Sequence, residues 1–202
     1  MKLSSNEALS MLEDFRVKLN NPHWIDHSIC VGRAAEVIAK ALKLDGDYAK
    51  TLGYIHDIGK YFPYQESGVF PHAMNGYHYI KSLGYGDEYA GICIKHSFLN
   101  NDIDCISNDR DETDKGNPNY EFVKNFIAKE YSIYDKIINL CDLMCTKKIL
   151  TVDKRMIDLL LRHGIYAKTH YHIVETVKLK EYFDNLLGYN LYDLFPEIKD
   201  NL

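Results

Sequence analysis

LGYIHDIGKY, residues 52–61, places His56 directly before Asp57 in a stretch that is otherwise mostly apolar. On a helix, residues three or four positions away share a face. Leu52, four residues before His56, and Gly59, three residues after it, are apolar or small, as is the adjacent Ile55. The imidazole is therefore expected to point inward, and the adjacent carboxylate needs a cation, because an unpaired buried charge is costly. A metal ion would meet that need. The alternative interpretation is a core histidine bonded to a backbone carbonyl beside an aspartate paired with a lysine.

Further metal-type side chains lie on apolar faces elsewhere in the sequence: His27, His72, His96 and Asp142. His27 shares its face with Trp24 and Val31, and Asp142 lies in KIINLCDLMC, residues 136–145, which is apolar nearly all round. Any one of these residues, taken alone, is more often a core residue with ordinary hydrogen-bond partners than a metal ligand. Five helices that each point such a side chain inward are much less probable by accident, so the sequence predicts a metal site.

The ligand types restrict the metal and the chemistry. The predicted ligands are His27, His56, Asp57, His72, His96 and Asp142. Imidazole and carboxylate suit iron, manganese, zinc or, less well, magnesium, and the lack of thiolates argues against structural zinc. Two ions roughly 3.5–4 Å apart, bridged by Asp57, would use all six ligands and hold a hydroxide for attack on phosphorus. We therefore predict two divalent ions, with iron or manganese preferred, and Asp57 as a catalytic residue in phosphate-ester hydrolysis.

Composition excludes several classes of protein. The chain has 202 residues and a formal net charge of -5, and its basic residues form no stripe of the kind that binds duplex nucleic acid. Its 5 cysteines include no CxxC pair, which favours free thiols in a reducing compartment. The N-terminus lacks the apolar core of a signal peptide, and no apolar run approaches the roughly 18 residues of a membrane span. We predict one cytoplasmic domain that contacts no membrane.

Apolar residues recur at intervals of three and four, which predicts an all-α, single-domain helical bundle. A capping box at Ser4 and Glu7 opens a first helix that ends near residue 20. Further helices are predicted at 23–42, 47–60, 72–83, 87–98, 119–130, 131–150, 153–163 and 169–187.

The segment 100–119 is polar, acidic and rich in turn residues. Its acids at Asp109, Asp111 and Asp114 have the look of a calcium loop, but the internal glycine and terminal glutamate are misplaced. A solvated loop is the better interpretation.

The order H...HD...H...H...D, realised as His27, His56-Asp57, His72, His96 and Asp142, resembles the HD-domain metal-dependent phosphohydrolases, with HDIGK at 56–60. The likeness covers residues 22–150 and leaves 151–202 as a C-terminal helical extension. PHAMNGYHYIKSLG, IKHSFL and YDKIINLCDLM look most like the bacterial symmetrical diadenosine tetraphosphate hydrolases. The resemblance implies an all-helical fold, two ions, often iron, and cleavage between phosphates. This sequence has HAMNGY and HSFL where that subfamily usually has HGPVGA-like and HTTG-like strings.

Other residues are candidates for substrate contact. Lys60, four residues after His56, could stabilise charge on a phosphate, although a solvated lysine at a helix end is the alternative. Further candidates are His78, Arg110, Tyr61, Phe62 and Tyr64. His23 is expected at the rim or surface, and His163, His170 and His172 receive no role.

The resulting functional prediction is cleavage of a phosphoester or phosphoanhydride in a nucleotide or dinucleotide polyphosphate. One alternative is a single-ion nucleoside-monophosphate phosphatase that uses His27, His56, Asp57 and Asp142. The other is a non-catalytic module that binds a nucleotide. The expected partner is a small phosphorylated molecule, and the interpretation allows a homodimer.

Overall fold

Helices form the regular secondary structure of the chain, so the all-α prediction is confirmed. The structure is a computed structural model that describes residues 1–19, 23–63, 69–106 and 114–201. The α-helices are α1 (Ser5–Lys18), α2 (His23–Ala41), α3 (Gly46–Ile55), α4 (Pro71–Ser82), α5 (Asp87–Ala90), α6 (Ile92–Lys95), α7 (Pro118–Ile127), α8 (Ile133–Asp142), α9 (Val152–His163) and α10 (Thr169–Leu187). Short 3-10 helices cover Ile58–Tyr61, Leu99–Asn101, Leu191–Leu194 and Pro196–Asn201. Within the described ranges there is no β-strand.

Capping residues set where α1 and α8 begin. Ser4 Oγ accepts a hydrogen bond from the Glu7 N–H at 3.3 Å, and Glu7 Oε2 accepts one from the Ser4 N–H at 2.9 Å. Ser132 and Asp135 make the same reciprocal pair at the start of α8. Such a capping box satisfies two donors that the first helical turn leaves free.

Two predicted helices end earlier than expected. The helix predicted over 47–60 ends at Ile55, because Asp57 has φ −102° and ψ 9°, outside the α-helical region. The helix predicted over 131–150 ends at Asp142, and a 2.7 Å bond from the Leu150 N–H to the Met144 carbonyl closes a turn beyond it. Both ends place candidate ligands at helix C-termini.

The helix predicted over 87–98 is divided at Gly91 into α5 and α6. Glycine destabilises a helix interior, so a helix boundary at this residue is reasonable. His96 consequently follows the last residue of the short helix α6. The remaining helix boundaries lie within a few residues of the predicted ones.

The main core is built around the contact of α2 with α3. A Cβ atom on Gly53 would lie 2.5 Å from the Cα of Gly32, so the two backbones touch where both residues are glycine. This close approach fixes α2 against α3, and with it the position of His27 relative to His56.

Two smaller apolar clusters complete the packing. One joins α4, α6 and α7: Ala73, Met74, Ile94, Phe98, Ile103, Ile106, Tyr120, Val123, Phe126, Ile127 and Tyr131. The other joins α9 to the residues that follow His96 and Asp142: Leu99, Cys105, Leu143 and Met156. The extension therefore packs beside two of the candidate ligands. All five cysteines are buried free thiols, as expected of a reduced protein.

The segment 100–119 is not uniformly solvated, contrary to the prediction. Ile103 and Ile106 are 8% and 5% exposed, and Cys105 is fully buried. Asp109 and Asp111 lie outside the described residues. The buried side chains of Ile103, Cys105 and Ile106 thus anchor part of this otherwise polar segment to the protein. Across the part of the chain that the structure describes, no helix has both the length and the apolarity that crossing a membrane requires.

Candidate metal centre

Helix ends bring the six predicted ligands to one place. His27 projects from α2, His56 and Asp57 follow the end of α3, and His72 lies in the first turn of α4. His96 follows α6, and Asp142 is the last residue of α8. Because helix termini have freer backbone geometry than helix interiors, side chains from several helices can converge there.

The first group of ligand atoms surrounds Asp57 Oδ2. This oxygen lies 3.6 Å from His56 Nε2 and 3.9 Å from His27 Nε2. Asp142 Oδ1 joins them, at 2.9 Å from His27 Nε2 and 3.9 Å from His56 Nε2. The two imidazoles and Asp57 meet the spacing expected of ligands that share one ion.

The second group surrounds the other oxygen of the same carboxylate. Asp57 Oδ1 lies 3.5 Å from His96 Nε2 and 3.9 Å from His72 Nε2. These three residues form a second set with ligand spacing, all within 4.8 Å of one another. Asp57 therefore faces one pair of histidines with each of its oxygens, which is the arrangement of a bridging carboxylate.

Gly59 allows the second group to form. A Cβ atom at this position would lie 1.8 Å from the His72 carbonyl oxygen and 2.5 Å from the Gly76 N atom. The 3-10 helix Ile58–Tyr61 therefore touches the backbone of α4 at its first turn. Glycine is needed because any larger residue would push α4, and His72 with it, away from Asp57.

Backbone hydrogen bonds orient two of the imidazoles. His56 Nδ1 lies 2.7 Å from the Gly53 carbonyl, and His96 Nδ1 lies 3.1 Å from the Ile92 carbonyl. A carbonyl can only accept, so each Nδ1 carries the proton and each Nε2 presents a lone pair. Metal-binding histidines are commonly held in this way.

His56 Nε2 tests whether a metal fits the site. This nitrogen is fully buried and has no hydrogen-bond partner among the described residues. A core histidine bonded to a backbone carbonyl explains Nδ1 but leaves Nε2 unpaired, at a cost that native proteins normally avoid. A cation shared with Asp57 and His27 would satisfy the lone pair. The donor set of imidazole and carboxylate thus fits a divalent metal.

Burial and neighbouring charges put the ligands in the protonation states that bind metals. Burial lowers the pKa of His56 to about 4 and that of His72 to about 4, so both are neutral near pH 7. Burial alone would raise the pKa of Asp57, but Lys60 and His56 outweigh it and hold the pKa well below its usual range. Burial is likewise outweighed at Asp142 by the His27 hydrogen bond, which lowers the pKa of that carboxyl. Neutral His56 and His72 and the ionised carboxylates of Asp57 and Asp142 require no proton release before they bind a metal.

Lys60 lies beside the Asp57 carboxylate rather than one α-helical turn from His56. Its Nζ donates to Asp57 Oδ2, and its side chain is 40% exposed toward the cavity. Burial alone would lower the pKa of Lys60, but the Asp57 carboxylate raises it, so the ammonium stays charged. A cation next to the predicted ligands can contact an anionic substrate held there.

A cavity of about 790 Å³ opens over the ligands. This volume is in the usual range for small-molecule sites. Its cationic side chains are Lys60, Lys147, Arg155 and Arg162, and its aromatic ones include Trp24 and Phe70. The cavity can therefore receive an anionic molecule with a flat, apolar part.

Lys60 lines this cavity, but three other predicted substrate contacts do not: His78, Tyr61 and Phe62. His78 is exposed on α4 with its ring against Tyr77, outside the cavity lining. Tyr61 stacks on Phe15 with ring centroids 3.7 Å apart, and Phe62 packs edge-on against the Tyr61 ring. Tyr64 and Arg110 lie outside the described residues. His23, by contrast, lines the cavity, as expected of a rim residue.

Sequence reasoning missed the contribution of α9 and α10. Arg155, Arg162, His163 and His172 all line the cavity. Arg155 shares a helical face with Val152, Met156 and Leu159, so asking which charged residues interrupt an apolar face would have found it. Arg162 is 49% exposed in the last turn of α9, so the sequence gives a weaker signal at this residue.

These features define a candidate metal centre in a cavity that is lined by both cationic and acidic side chains. The HD domain family matches residues 24–146, which is more than half of the chain. The chain therefore belongs to the HD domain family, whose members are generally metal-dependent phosphohydrolases.

A curated relative supports the same broad assignment. The chain is 38% identical over 64 residues to ribonuclease Y of Chlorobium chlorochromatii (strain CaD3). The matched stretch is 32% of this chain and 12% of that relative, so the chain spans a small part of its length. No solved structure matched the chain significantly.

Proposed function

We propose that this protein is a phosphohydrolase with two divalent ions that cleaves a phosphoester or phosphoanhydride of a nucleotide or dinucleotide polyphosphate. Diadenosine tetraphosphate is the first substrate to test, because several sequence strings resemble those of its symmetrical hydrolases. The observation that carries the proposal is the position of Asp57, whose Oδ2 and Oδ1 face different pairs of histidines. Iron or manganese is the preferred metal, and zinc or magnesium is the alternative.

Each residue has a part in this proposal. Divalent ions in such a site supply Lewis-acid activation of water and of phosphoryl oxygens. His27, His56 and Asp142 would hold one ion, His72 and His96 the other, and Asp57 would contact both. The Lys60 ammonium would bind a phosphoryl oxygen and stabilise the negative charge that develops as the bond breaks. The aromatic rings of Trp24 and Phe70 give a nucleobase surfaces to pack against.

The deciding experiment is metal analysis of protein purified without oxygen, followed by hydrolysis assays. We expect about two ions per chain and turnover of diadenosine tetraphosphate or a related nucleotide. The panel should include mononucleotides and, because of the similarity to ribonuclease Y, a single-stranded oligoribonucleotide. Little bound metal together with no turnover of any phosphoester or anhydride would refute the proposal.

Two variants in the second group of predicted ligands distinguish a single-ion phosphatase from a two-ion enzyme. His72→Ala and His96→Ala should each reduce the metal content by about one ion and remove most activity if two ions are used. Near-full activity in both variants would favour one ion held by the first group. His78→Ala is the matched control, because His78 is an exposed histidine on the same helix as His72.

The non-catalytic alternative predicts binding without turnover. A nucleotide would then raise the melting temperature of the metal-loaded protein, as any ligand of the folded state does, while remaining intact. The division into an HD core over 22–150 and an extension over 151–202, the cytoplasmic location and the homodimer remain predictions. Partial proteolysis and size-exclusion chromatography address the first and the last.

A further inference from the structure

Arg155 on α9 is a buried cation in the wall of the cavity. The residue is 8% exposed, and it lines the same space as the predicted ligands. Its Nη1 donates to Asp158, which also accepts a hydrogen bond from Arg162 Nη2 at 2.7 Å. Asp158 thus holds both guanidinium groups on one side of the cavity.

One donor of this guanidinium has no acceptor. Arg155 Nε is fully buried and has no hydrogen-bond partner among the described residues. Leaving a charged donor unpaired inside a protein costs more than leaving a neutral one. Native proteins tend to keep such groups where a ligand or a bound water completes them. Because Arg155 lines the cavity next to a predicted phosphate site, a ligand bound there can approach its guanidinium.

The neighbours of Arg155 point to an anion with more than one charged group. Arg155 and Lys60 both line this cavity. The cavity therefore carries two cations that come from different elements of the fold. Lys60 lies beside the bridging carboxylate and Arg155 on the helix of the extension. A single phosphoryl group held by Lys60 and the metal centre would leave the Arg155 guanidinium without a ligand.

We propose that Arg155 binds a second phosphoryl group of the substrate, adjacent to the one held at the metal centre, so that the site selects molecules with at least two linked phosphates. This inference rests on the proposed function for the position of the first phosphoryl group. A planar guanidinium held by a carboxylate on one edge presents its other donors in the geometry that suits phosphate oxygens. The specificity-determining residue therefore comes from α9, outside the span of the HD domain match.

A purely structural role for Arg155 is the competing explanation. In that case the side chain serves to pack α9 against the core, next to Met156. Its removal would lower the melting temperature and weaken all ligands alike. The two explanations differ in whether the loss of affinity depends on the number of phosphoryl groups in the ligand.

The test compares two non-hydrolysable probes, methylphosphonate and methylenediphosphonate, by isothermal titration calorimetry on the metal-loaded full chain. Arg155→Gln should weaken methylenediphosphonate by at least about tenfold, the usual effect of losing a hydrogen bond between charged groups. The same variant should leave methylphosphonate within about twofold of wild type. Arg155→Lys should give an intermediate loss, because lysine keeps the charge but not the fork. Arg33→Gln is the control, since Arg33 is exposed on α2 and does not line the cavity.

Each outcome decides the inference. An equal loss of both probes, or no loss of the diphosphonate, would overturn it. If circular dichroism shows that Arg155→Gln is unfolded, only Arg155→Lys is compared with wild type. A lysine variant with wild-type affinity for the diphosphonate would then overturn the inference. Metal content is measured after each titration, so that chelation is not mistaken for weak binding. Binding of the probes needs no turnover, so the two proposals can fail separately. If diphosphonate binding depends on Arg155 but no substrate is hydrolysed, the inference is supported and the proposed function is refuted. If substrates are hydrolysed but diphosphonate binding does not depend on Arg155, the proposed function is supported and the inference is refuted.

Discussion

Acidification should destabilise the metal-free protein through His56, and the size of the effect follows from the burial of this imidazole. His56 is 0% exposed, and burial lowers its pKa to about 4. In an unfolded chain the pKa of histidine is about 6.5. Between these values the unfolded state binds a proton that the folded state does not bind. Stability therefore falls as the pH decreases through this window and is unaffected by His56 above it.

The two pKa values give the magnitude. Proton linkage gives a loss from His56 of about 1.4 kcal/mol at pH 5.5 and about 2.5 kcal/mol at pH 4.5. The assay is urea unfolding followed by circular dichroism, after chelation of the metal, at pH 7.5, 6.5, 5.5 and 4.5. His56→Gln replaces the titrating imidazole by an amide, which does not titrate in this range.

Comparison of variants isolates the contribution of His56. Carboxylates and other histidines also titrate in this range, but wild type and His56→Gln share them, so the difference between the two curves belongs largely to His56. The exposed His78 provides the control, because His78→Gln should keep the wild-type dependence on pH. Unfolding free energies of wild type and His56→Gln that fall in parallel from pH 6.5 to 4.5 would refute the assignment of a buried, neutral imidazole.

Three further changes probe the same centre. Asp57→Asn should lower the metal content by more than any single histidine variant, because both groups lose a charged ligand; metal analysis that finds two ions in this variant would contradict the bridging position. Lys60→Gln should reduce kcat by about 10²–10³-fold with unchanged metal content, and steady-state assays with wild-type kcat would exclude a catalytic role. Gly59→Ala should lower the free energy of unfolding in urea by more than about 2 kcal/mol, because its Cβ would meet backbone atoms. Gly46→Ala is the control and should be nearly neutral, because its Cβ would meet the flexible Lys40 side chain.

The metal-loaded protein should lose activity below about pH 6, because protons then compete with the metal for the imidazoles. The measurement is kcat/KM for the best substrate from pH 5 to 8, with metal content determined at each pH. A flat profile over this range would show that the histidines of the site are not ligands.

The periodicity of apolar residues was sufficient to predict the helical fold. Side chains that interrupt apolar faces selected six candidate ligands that lie close together in the structure. His27 and Asp142 illustrate why. Each lies among apolar residues that are expected to be buried, so its polar group needs a hydrogen-bonding or metal partner. This need can be inferred from the sequence. Helix ends were harder, since the end of α3 depends on the backbone of Asp57, and the division at Gly91 depends on local packing.

Tertiary packing, which the sequence pattern does not reveal, decides which of the predicted substrate contacts reach the cavity. Tyr61 and His78 were chosen for their chemistry and their closeness to the ligands in sequence, but the fold directs one into the stack on Phe15 and the other to the surface. Arg155 is far from the ligands in sequence and reaches the cavity because α9 packs beside the residues after Asp142. Proximity along the chain is a weak guide to a site formed by several helix ends.

The HDIGK string acts as a unit because it links the two ligand groups through five consecutive residues. His56 Nε2 belongs to the first group, and Asp57 offers one oxygen to each. Gly59 then lets α4 approach until His72 reaches the second oxygen, and Lys60 folds back onto the carboxylate. Replacing the histidine would affect the first group directly, whereas replacing the glycine would act on the second group by moving a helix. If the proposed function holds, Gly59→Ala should therefore reduce occupancy of the second ion while the first stays bound, which no ligand variant of the first group would do.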